Sequence, residues 1–157
     1  MIDETDLRIL GRVQRDGAES LEELGAAVGL SRNACWRRVK RLADDGVIRR
    51  RVALLDAESL NCPLTVFIWV RTSDHEIGWL ERFHAAVRDI PEIVGVFRTT
   101  GDVDYVLHAM VPDVPAYDRL YKRLIARVPL TDVSSSFVME RIKDTTELPL
   151  GYAGRSR

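Results

Sequence analysis

The stretch "SLEELGAAVGLSRNACWRRVKRLADDG", residues 20–46, determines the fold of the N-terminal part of the chain. Ser20, followed three residues later by Glu23, has the capping-box pattern that begins a helix. Gly29 predicts the end of that helix, because glycine readily adopts the left-handed conformation of a C-terminal cap. Ser31 predicts the N-cap of a second helix, which should stop before the closing glycine. Two short helices joined by a tight turn are typical of a helix-turn-helix motif.

The residues on either side of this stretch complete a small domain. Residues 3–15 place their apolar side chains at helical spacing, which predicts a first helix with acidic residues in its first turn. After residue 46, the sequence "VIRRRVALL" interleaves β-branched and basic residues and predicts an extended wing. We therefore expect residues 1–53 to form a winged helix-turn-helix domain.

The remainder of the chain has a different pattern. Residues 54–62 include a polar stretch before a proline and are expected to be a linker. From residue 63 onward, apolar residues follow strand and helix periodicities in the order β-α-β-β-α-β. This order is that of a ferredoxin-like fold, so an α+β domain is expected over residues 63–157. Its final segment, "DTTELPLGYAGRSR", is expected to be partly ordered at most.

Composition narrows the class of protein. The chain is 46% hydrophobic and 30% charged, values that fit a globular protein rather than a disordered one. Its longest apolar stretch, "PLTVFIWV", is too short to cross a bilayer, and the acidic N-terminus lacks a secretory signal pattern. Cys35 and Cys62 have no metal-binding spacing. We therefore expect reduced thiols in a cytoplasmic protein with no membrane partner.

The net charge of −1 conceals a segregation of charge along the chain. Residues 31–51 contain eight basic and two acidic residues, whereas the first 23 residues contain seven acidic and three basic ones. Such a concentrated basic segment is typical of a nucleic-acid-binding surface, which the pI of the whole chain does not reveal. A basic helix face by itself is often only solvated, but the motif, the wing and the charge segregation together favour DNA binding.

The second helix of the motif has distinct inward and outward faces. At about 100° per residue, Cys35, Val39 and Leu42 form the inward stripe. A recognition helix lays its N-terminal half along base edges in the major groove, and Asn33 and Arg37 are predicted to read adenine and guanine there. The basic residues that follow Arg37 are better placed for phosphates. The complete predicted DNA-binding set is Ser31, Arg32, Asn33, Trp36, Arg37, Lys40, Arg41, Arg49, Arg50 and Arg51.

Alternation along the predicted strands places apolar residues on both faces of the sheet. In the first strand, Val66 and Ile68 share one face, while Phe67 and Trp69 occupy the other. A ferredoxin-like sheet has helices on one side only, so its second apolar face needs another cover. The simplest cover is a second copy related by two-fold symmetry, which predicts a homodimer formed through the C-terminal domain.

The stretch "RTTGDVDYVLHAM", residues 98–110, combines a glycine, two carboxylates and a histidine. A metal site is not supported, because the oxygen ligand and the glycine of an EF-hand loop are missing at residues 106 and 107. Catalysis is not supported either, since no companion nucleophile or phosphate-binding loop is present. A binding role remains, because glycine lets a ligand approach backbone N–H groups, although Gly-Asp is equally an ordinary hairpin turn. We therefore expect no cofactor, no metal ligands and no catalytic residues.

Four segments carry a resemblance to a known family: "DETDLRIL", "LEELGAAVGLSRNACWRRVKRLADDGVI", "TTGDVDYVLHAMVPD" and "FVMERIKDTTELPL". In this order and spacing, from Asp3 to about Leu150, they resemble the Lrp/AsnC, or feast/famine, family of prokaryotic transcription regulators. The resemblance implies a winged helix-turn-helix domain, a ferredoxin-like effector domain, and dimers that often assemble to octamers. It also implies a small effector, typically an amino acid, bound between effector domains. Two departures concern Val103, where an aromatic residue is frequent, and "RNACW", which replaces a proline-containing turn.

The family's "GDxDY" motif corresponds to Gly101, Asp102, Asp104 and Tyr105. Backbone N–H groups and Thr100 would hold an α-carboxylate, one of the two aspartates an α-ammonium, and three serines would complete the site across an interface. The predicted effector-binding set is Thr100, Gly101, Asp102, Val103, Asp104, Ser134, Ser135 and Ser136. The sequence thus predicts a DNA-binding transcription regulator and not an enzyme. The alternative is an oligomeric small-molecule-binding or catalytic protein of the same architecture with little DNA binding.

Overall fold

The computed structural model describes residues 2–73 and 76–153, and the chain forms two compact units. The first unit contains residues 2–54 together with residues 143–153, and the second contains Leu55–Ile142. Each unit has its own apolar core.

The first unit consists of three helices: α1, Glu4–Val13; α2, Leu21–Val28; and α3, Arg32–Asp44. Ser20 and Glu23 form the predicted capping box of α2, and Gly29 ends this helix with a φ of 74°. The Ser31 side chain caps α3 by accepting a hydrogen bond from the Ala34 N–H at 3.3 Å. The predicted helix-turn-helix is therefore confirmed. Its core contains Ile9, Leu10, Leu24, Val28, Cys35 and Leu42.

The predicted wing is not formed as a strand. No strand occurs among the residues between α3 and residue 64, and Val52 and Leu54 are 62% and 74% exposed. A strand needs a neighbour for its backbone N–H and C=O groups, and the described part of the first unit offers no second strand. Periodicity alone cannot supply that neighbour, so the basic segment after α3 stays irregular and exposed.

The second unit has the predicted β-α-β-β-α-β order. Its elements are β1, Leu64–Arg71; α4, Ile77–Arg88; β2, Ile93–Arg98; β3, Tyr105–Val111; α5, Val114–Ile125; and β4, Asp132–Phe137. The strands form one antiparallel sheet in the order β2-β3-β1-β4. The ferredoxin-like α+β domain is therefore confirmed. The residues expected to link the domains include a turn closed by a 2.8 Å hydrogen bond from the Cys62 N–H to the Ala57 carbonyl.

The two faces of the sheet differ as the alternation of residues predicted. Val66, Ile68 and Val70 of β1 are fully buried against the helices, together with Leu107 of β3. The opposite face carries side chains from all four strands that the helices do not cover. Those residues are Thr65, Phe67, Trp69, Phe97, Val106, His108, Met110, Ser134 and Ser136.

The C-terminal segment differs from the expectation that it belongs to the second domain. Residues 143–153 group with the first unit, and a short 3-10 helix spans Leu150–Tyr152. Leu150 packs against the core of the three helices, and this apolar contact outweighs the polar composition of the segment. Residues 154–157 lie outside the described residues.

Candidate functional site

Helix α3 presents a polar and aromatic surface to solvent. Asn33 and Arg37 are exposed, and Trp36 is 49% exposed, whereas Cys35 on the opposite side is fully buried. Burial raises the pKa of the Cys35 thiol, which is part of the apolar core. The structure therefore brings the predicted base-reading residues together on one accessible face.

The predicted phosphate-binding residues divide into free and paired groups. Lys40 pairs with Asp44 at 2.6 Å on the helix surface. Arg41 binds the Asp6 carboxylate of α1 through Nη2, and its side chain is 43% exposed. Within residues 2–73 and 76–153, the predicted arginines that form no ion pair are Arg32, Arg37, Arg49, Arg50 and Arg51.

Asp6 holds α3 against α1, a role that was not predicted from the sequence. Its carboxylate is completely buried and accepts hydrogen bonds from Arg38 Nη1 at 2.8 Å, from Arg41, and from the Asp3 N–H at 3.1 Å. Arg38 also binds the Asp3 carboxylate at 2.6 Å. Burial by itself raises the pKa of Asp6, but these hydrogen bonds outweigh it and hold the pKa below its usual range. The available signal was two acids three residues apart on α1 and two arginines three residues apart on α3.

The loop between β2 and β3 is a tight turn with an exposed tip. Gly101 has a φ of 101°, a conformation that other residues rarely adopt, and the Thr99 N–H donates to the Asp104 carbonyl at 2.9 Å. The Thr99 hydroxyl donates to the Val103 carbonyl and closes the turn further. Thr100, Gly101 and Asp102 lie at the exposed tip, where a ligand can approach the backbone.

The two aspartates of the loop have different surroundings. Asp104 is half-buried, and its Oδ2 accepts a hydrogen bond from the Thr72 N–H at 2.8 Å. Its own N–H donates to the Val70 carbonyl at 3.1 Å, so this residue fastens the loop to the end of β1. Asp102 is exposed and makes no hydrogen bond within the described part of the chain. Of the two carboxylates, that of Asp102 is therefore the one open to a ligand.

The three serines of β4 do not share one face. Ser134 pairs with Trp69 and Ser136 with Phe67, so both lie on the helix-free face of the sheet. The hydroxyl group of Ser135 is hydrogen-bonded to that of Tyr117 on the helix-covered side. Strand β1 also lies between β4 and β3, which begins just after the loop. Within one chain, the serines and the loop therefore do not form a single site.

No group of three His, Cys, Asp or Glu side chains able to hold a metal ion occurs in residues 2–73 and 76–153. His108 stacks on Phe67 on the helix-free face, with ring centroids 5.1 Å apart. None of the described helices is both long and apolar enough to cross a membrane.

Comparison with known families matches both units. Residues 2–43 match the AsnC-type helix-turn-helix domain, and residues 65–148 match the Lrp/AsnC ligand binding domain. The chain is 45% identical to the glutamate uptake regulatory protein of Zymomonas mobilis over 149 residues, which cover 95% of this chain and 91% of that protein. It is 44% identical to the DNA-binding transcriptional activator DecR of Escherichia coli K12, covering 96% and 99% of the two chains.

Solved structures agree with these matches. A crystal structure of an AsnC family transcriptional regulator from Agrobacterium tumefaciens has a TM-score of 0.92 and 51% sequence identity, covering 96% of this chain and 99% of that one. A transcriptional regulator from Neisseria meningitidis in complex with L-Met has a TM-score of 0.93 and 38% identity, covering 97% and 99%. The likeness spans both units.

Proposed function

This chain belongs to the Lrp/AsnC family of transcriptional regulators, and from that premise we propose that it binds operator DNA as a dimer and responds to an amino acid. It is a DNA-binding transcriptional regulator with an N-terminal helix-turn-helix and a C-terminal α+β domain. The observation that carries the DNA-binding surface is the exposed face of α3, whose asparagine and free arginines face solvent.

On this surface, base reading falls to Asn33 and Arg37. Both lie in the N-terminal half of α3, which is the part of a recognition helix that reaches base edges. The free arginines Arg32 and Arg50 are suited to phosphates, with Arg49 and Arg51 beside the latter. Arg41 is better assigned to the fold than to phosphate binding, because its Nη2 binds the buried carboxylate of Asp6.

The helix-free face of the sheet is the proposed dimer surface. Phe67, Trp69 and Val106 are half-buried there, and Phe97 is 58% exposed. Burying this apolar face against a second copy removes it from water and places the two DNA-binding units in a symmetric pair. Such a pair fits a pseudo-palindromic operator, and further assembly of dimers follows the family pattern.

The β2–β3 loop is the proposed effector site. The exposed N–H groups around Gly101 and the hydroxyl of Thr100 suit an α-carboxylate, and the free carboxylate of Asp102 suits an α-ammonium. Asp104 shapes the loop through Thr72 instead of contacting the ligand. Two relatives support an amino acid effector, one named for glutamate uptake and one solved with L-Met. Binding there would alter how dimers associate and so change the spacing of the DNA-binding units.

We also propose a cytoplasmic location and no catalytic activity. The relatives of known role are transcriptional regulators, whose target is DNA. Both cysteines are free, which is the usual state of thiols in a reducing compartment.

The DNA-binding surface is tested with variants of two exposed arginines that form no ion pair within the described part of the chain. Arg37→Ala should weaken binding to DNA fragments selected by the wild-type chain about 10- to 100-fold and relax sequence preference. Arg50→Ala should weaken binding to all DNA sequences alike. It should also reduce by about one the slope of the logarithm of the binding constant against the logarithm of the salt concentration. Binding that is unchanged in both variants would exclude this surface.

The effector site is tested by thermal denaturation of the full chain with each of the twenty amino acids. A ligand that binds only the native state raises the melting temperature, so one or a few amino acids should produce a shift. Asp102→Ala should abolish that shift while leaving the unliganded melting temperature unchanged, because its carboxylate has no partner among the residues that the structure describes. A shift that survives in this variant would move the site elsewhere.

A further inference from the structure

The C-terminal segment, residues 147–152, is held on the DNA-binding unit by specific contacts with α1 and the residues that follow it. Gln14, the C-cap of α1, binds both peptide groups of Leu148: Nε2 donates to the carbonyl at 3.3 Å, and Oε1 accepts from the N–H at 3.0 Å. Arg15 Nε binds Glu147 Oε2 at 2.9 Å. One side-chain amide thus satisfies both backbone groups of a residue more than a hundred positions away in the sequence.

An apolar contact completes this docking. Leu150 is half-buried and packs against the cluster that contains Ile9 and Leu10. Gly11 leaves room for it, because a Cβ atom at that position would lie 3.7 Å from Leu150 Cδ1. Leu148 is 72% exposed, so it contributes to the docking through its backbone hydrogen bonds and not through its side chain.

The chain consequently connects the two units twice. It leaves the DNA-binding unit after Leu54 and returns to it at Lys143. We propose that the surface formed by Gly11, Gln14 and Arg15 is a docking site for the C-terminal segment of this chain, and that the docked segment restrains the DNA-binding unit. A unit attached at two points has less conformational freedom than one attached by a single linker.

This restraint matters for the proposed dimer, on whose mode of binding the inference rests. After one DNA-binding unit of the dimer has bound its half-site, the other unit binds at an effective concentration. That concentration depends on the volume that the unbound unit can sample. A restrained unit also loses less conformational entropy on binding. The docked segment therefore raises affinity for paired half-sites without itself touching DNA.

Two matched leucine variants test the docking itself. Leu150→Asp places a charge in the apolar contact, whereas Leu148→Asp changes an exposed side chain and keeps both backbone hydrogen bonds. Amide hydrogen exchange of the C-terminal half of α1 should accelerate about tenfold or more in Leu150→Asp and remain at the wild-type rate in Leu148→Asp. Adding Gln14→Ala to Leu150→Asp should have no further effect. Exchange at the wild-type rate in Leu150→Asp would overturn the docking proposal.

The effect on DNA binding is measured with the same variants on DNA that carries one or two half-sites. Leu150→Asp should weaken binding to paired half-sites about 5- to 10-fold and binding to one half-site less than about twofold. Leu148→Asp should leave both unchanged. Equal losses on the two DNAs would overturn the restraint, because they would place the defect in the recognition unit itself. If the proposed DNA-binding mode is wrong, the wild-type chain itself will bind paired half-sites no better than one half-site. Hydrogen exchange still tests the docking in that case, because it requires neither DNA nor dimers.

Discussion

The strongest test of the DNA-binding unit is the removal of its buried carboxylate by Asp6→Ala. This side chain has no exposed surface and binds Arg38, Arg41 and the N–H of Asp3, so it joins the first helix to the recognition helix. The substitution leaves the Arg41 guanidinium and the Asp3 N–H without their acceptor, and it leaves Arg38 with the Asp3 carboxylate alone. It also removes half of the capping box that begins α1.

The expected loss of stability follows from how exposed the partners are. Removing one member of a fully buried ion pair costs about 3–5 kcal/mol, because the remaining charge is stranded away from water. The side chains of Arg38 and Arg41 are 32% and 43% exposed and can regain water when released. We therefore expect a loss of about 2–3 kcal/mol for Asp6→Ala, and about 1–2 kcal/mol for Asp6→Asn, which keeps the shape and one acceptor.

Hydrogen exchange of α1 and α3 in the full chain measures this loss directly, because the opening free energy of each helix is read separately. Asp44→Ala is the matched control: its ion pair with Lys40 is more than half exposed on both sides. That variant should lose no more than about 0.5 kcal/mol. If Asp6→Ala and Asp44→Ala lose the same amount, the carboxylate does not hold the helices together and the assignment is wrong.

Three further outcomes are expected. Gly25→Ala should destabilise the DNA-binding unit by about 1–3 kcal/mol in thermal denaturation, despite the better helix former, because strain outweighs propensity. The reason is local: the new Cβ would lie 2.8 Å from the Leu30 carbonyl oxygen. Asp104→Ala should lower the stability of the second unit to urea by about 1–2 kcal/mol, since the Thr72 N–H loses its acceptor. Folding lowers the pKa of Asp6, so the ionised carboxylate stabilises the folded chain fully above the unfolded pKa of about 4. This stabilisation is lost as pH falls through the folded pKa. When the free energy of unfolding is measured against pH, Asp6→Asn should lack this loss.

Much of the fold could be predicted because its determinants are local in the sequence. Ser20 and Gly29 begin and end a helix through contacts with residues only a few positions away. The alternation of Val66, Phe67 and Ile68 likewise fixes which side chains share a face of β1. The wing shows the limit of local pattern: its residues are strand-like, but no strand forms between α3 and Leu64, because pairing depends on a neighbour that local pattern does not reveal.

The sequence predicted which residues belong to the candidate sites, but not how their side chains pair with one another. Helical periodicity correctly placed Asn33 and Arg37 on the exposed face of α3, because that face follows from the apolar stripe opposite. It did not distinguish Arg41, which binds a carboxylate 35 residues away, from the unpaired Arg50. Side-chain pairing across such distances depends on how the helices pack.

By itself, the sequence determined the order of elements, the helix caps, the inward and outward faces, and the family. Only the tertiary structure showed how the two loop aspartates differ: Asp104 binds the backbone of Thr72, whereas Asp102 is exposed and has no hydrogen bond among the described residues. It also directed Ser135 towards α5 and brought Leu150 onto the first helices. The physical reason is common to these cases: caps and periodicities act within a few residues, whereas the partner of a carboxylate, a hydroxyl or an apolar side chain is chosen by packing between distant segments.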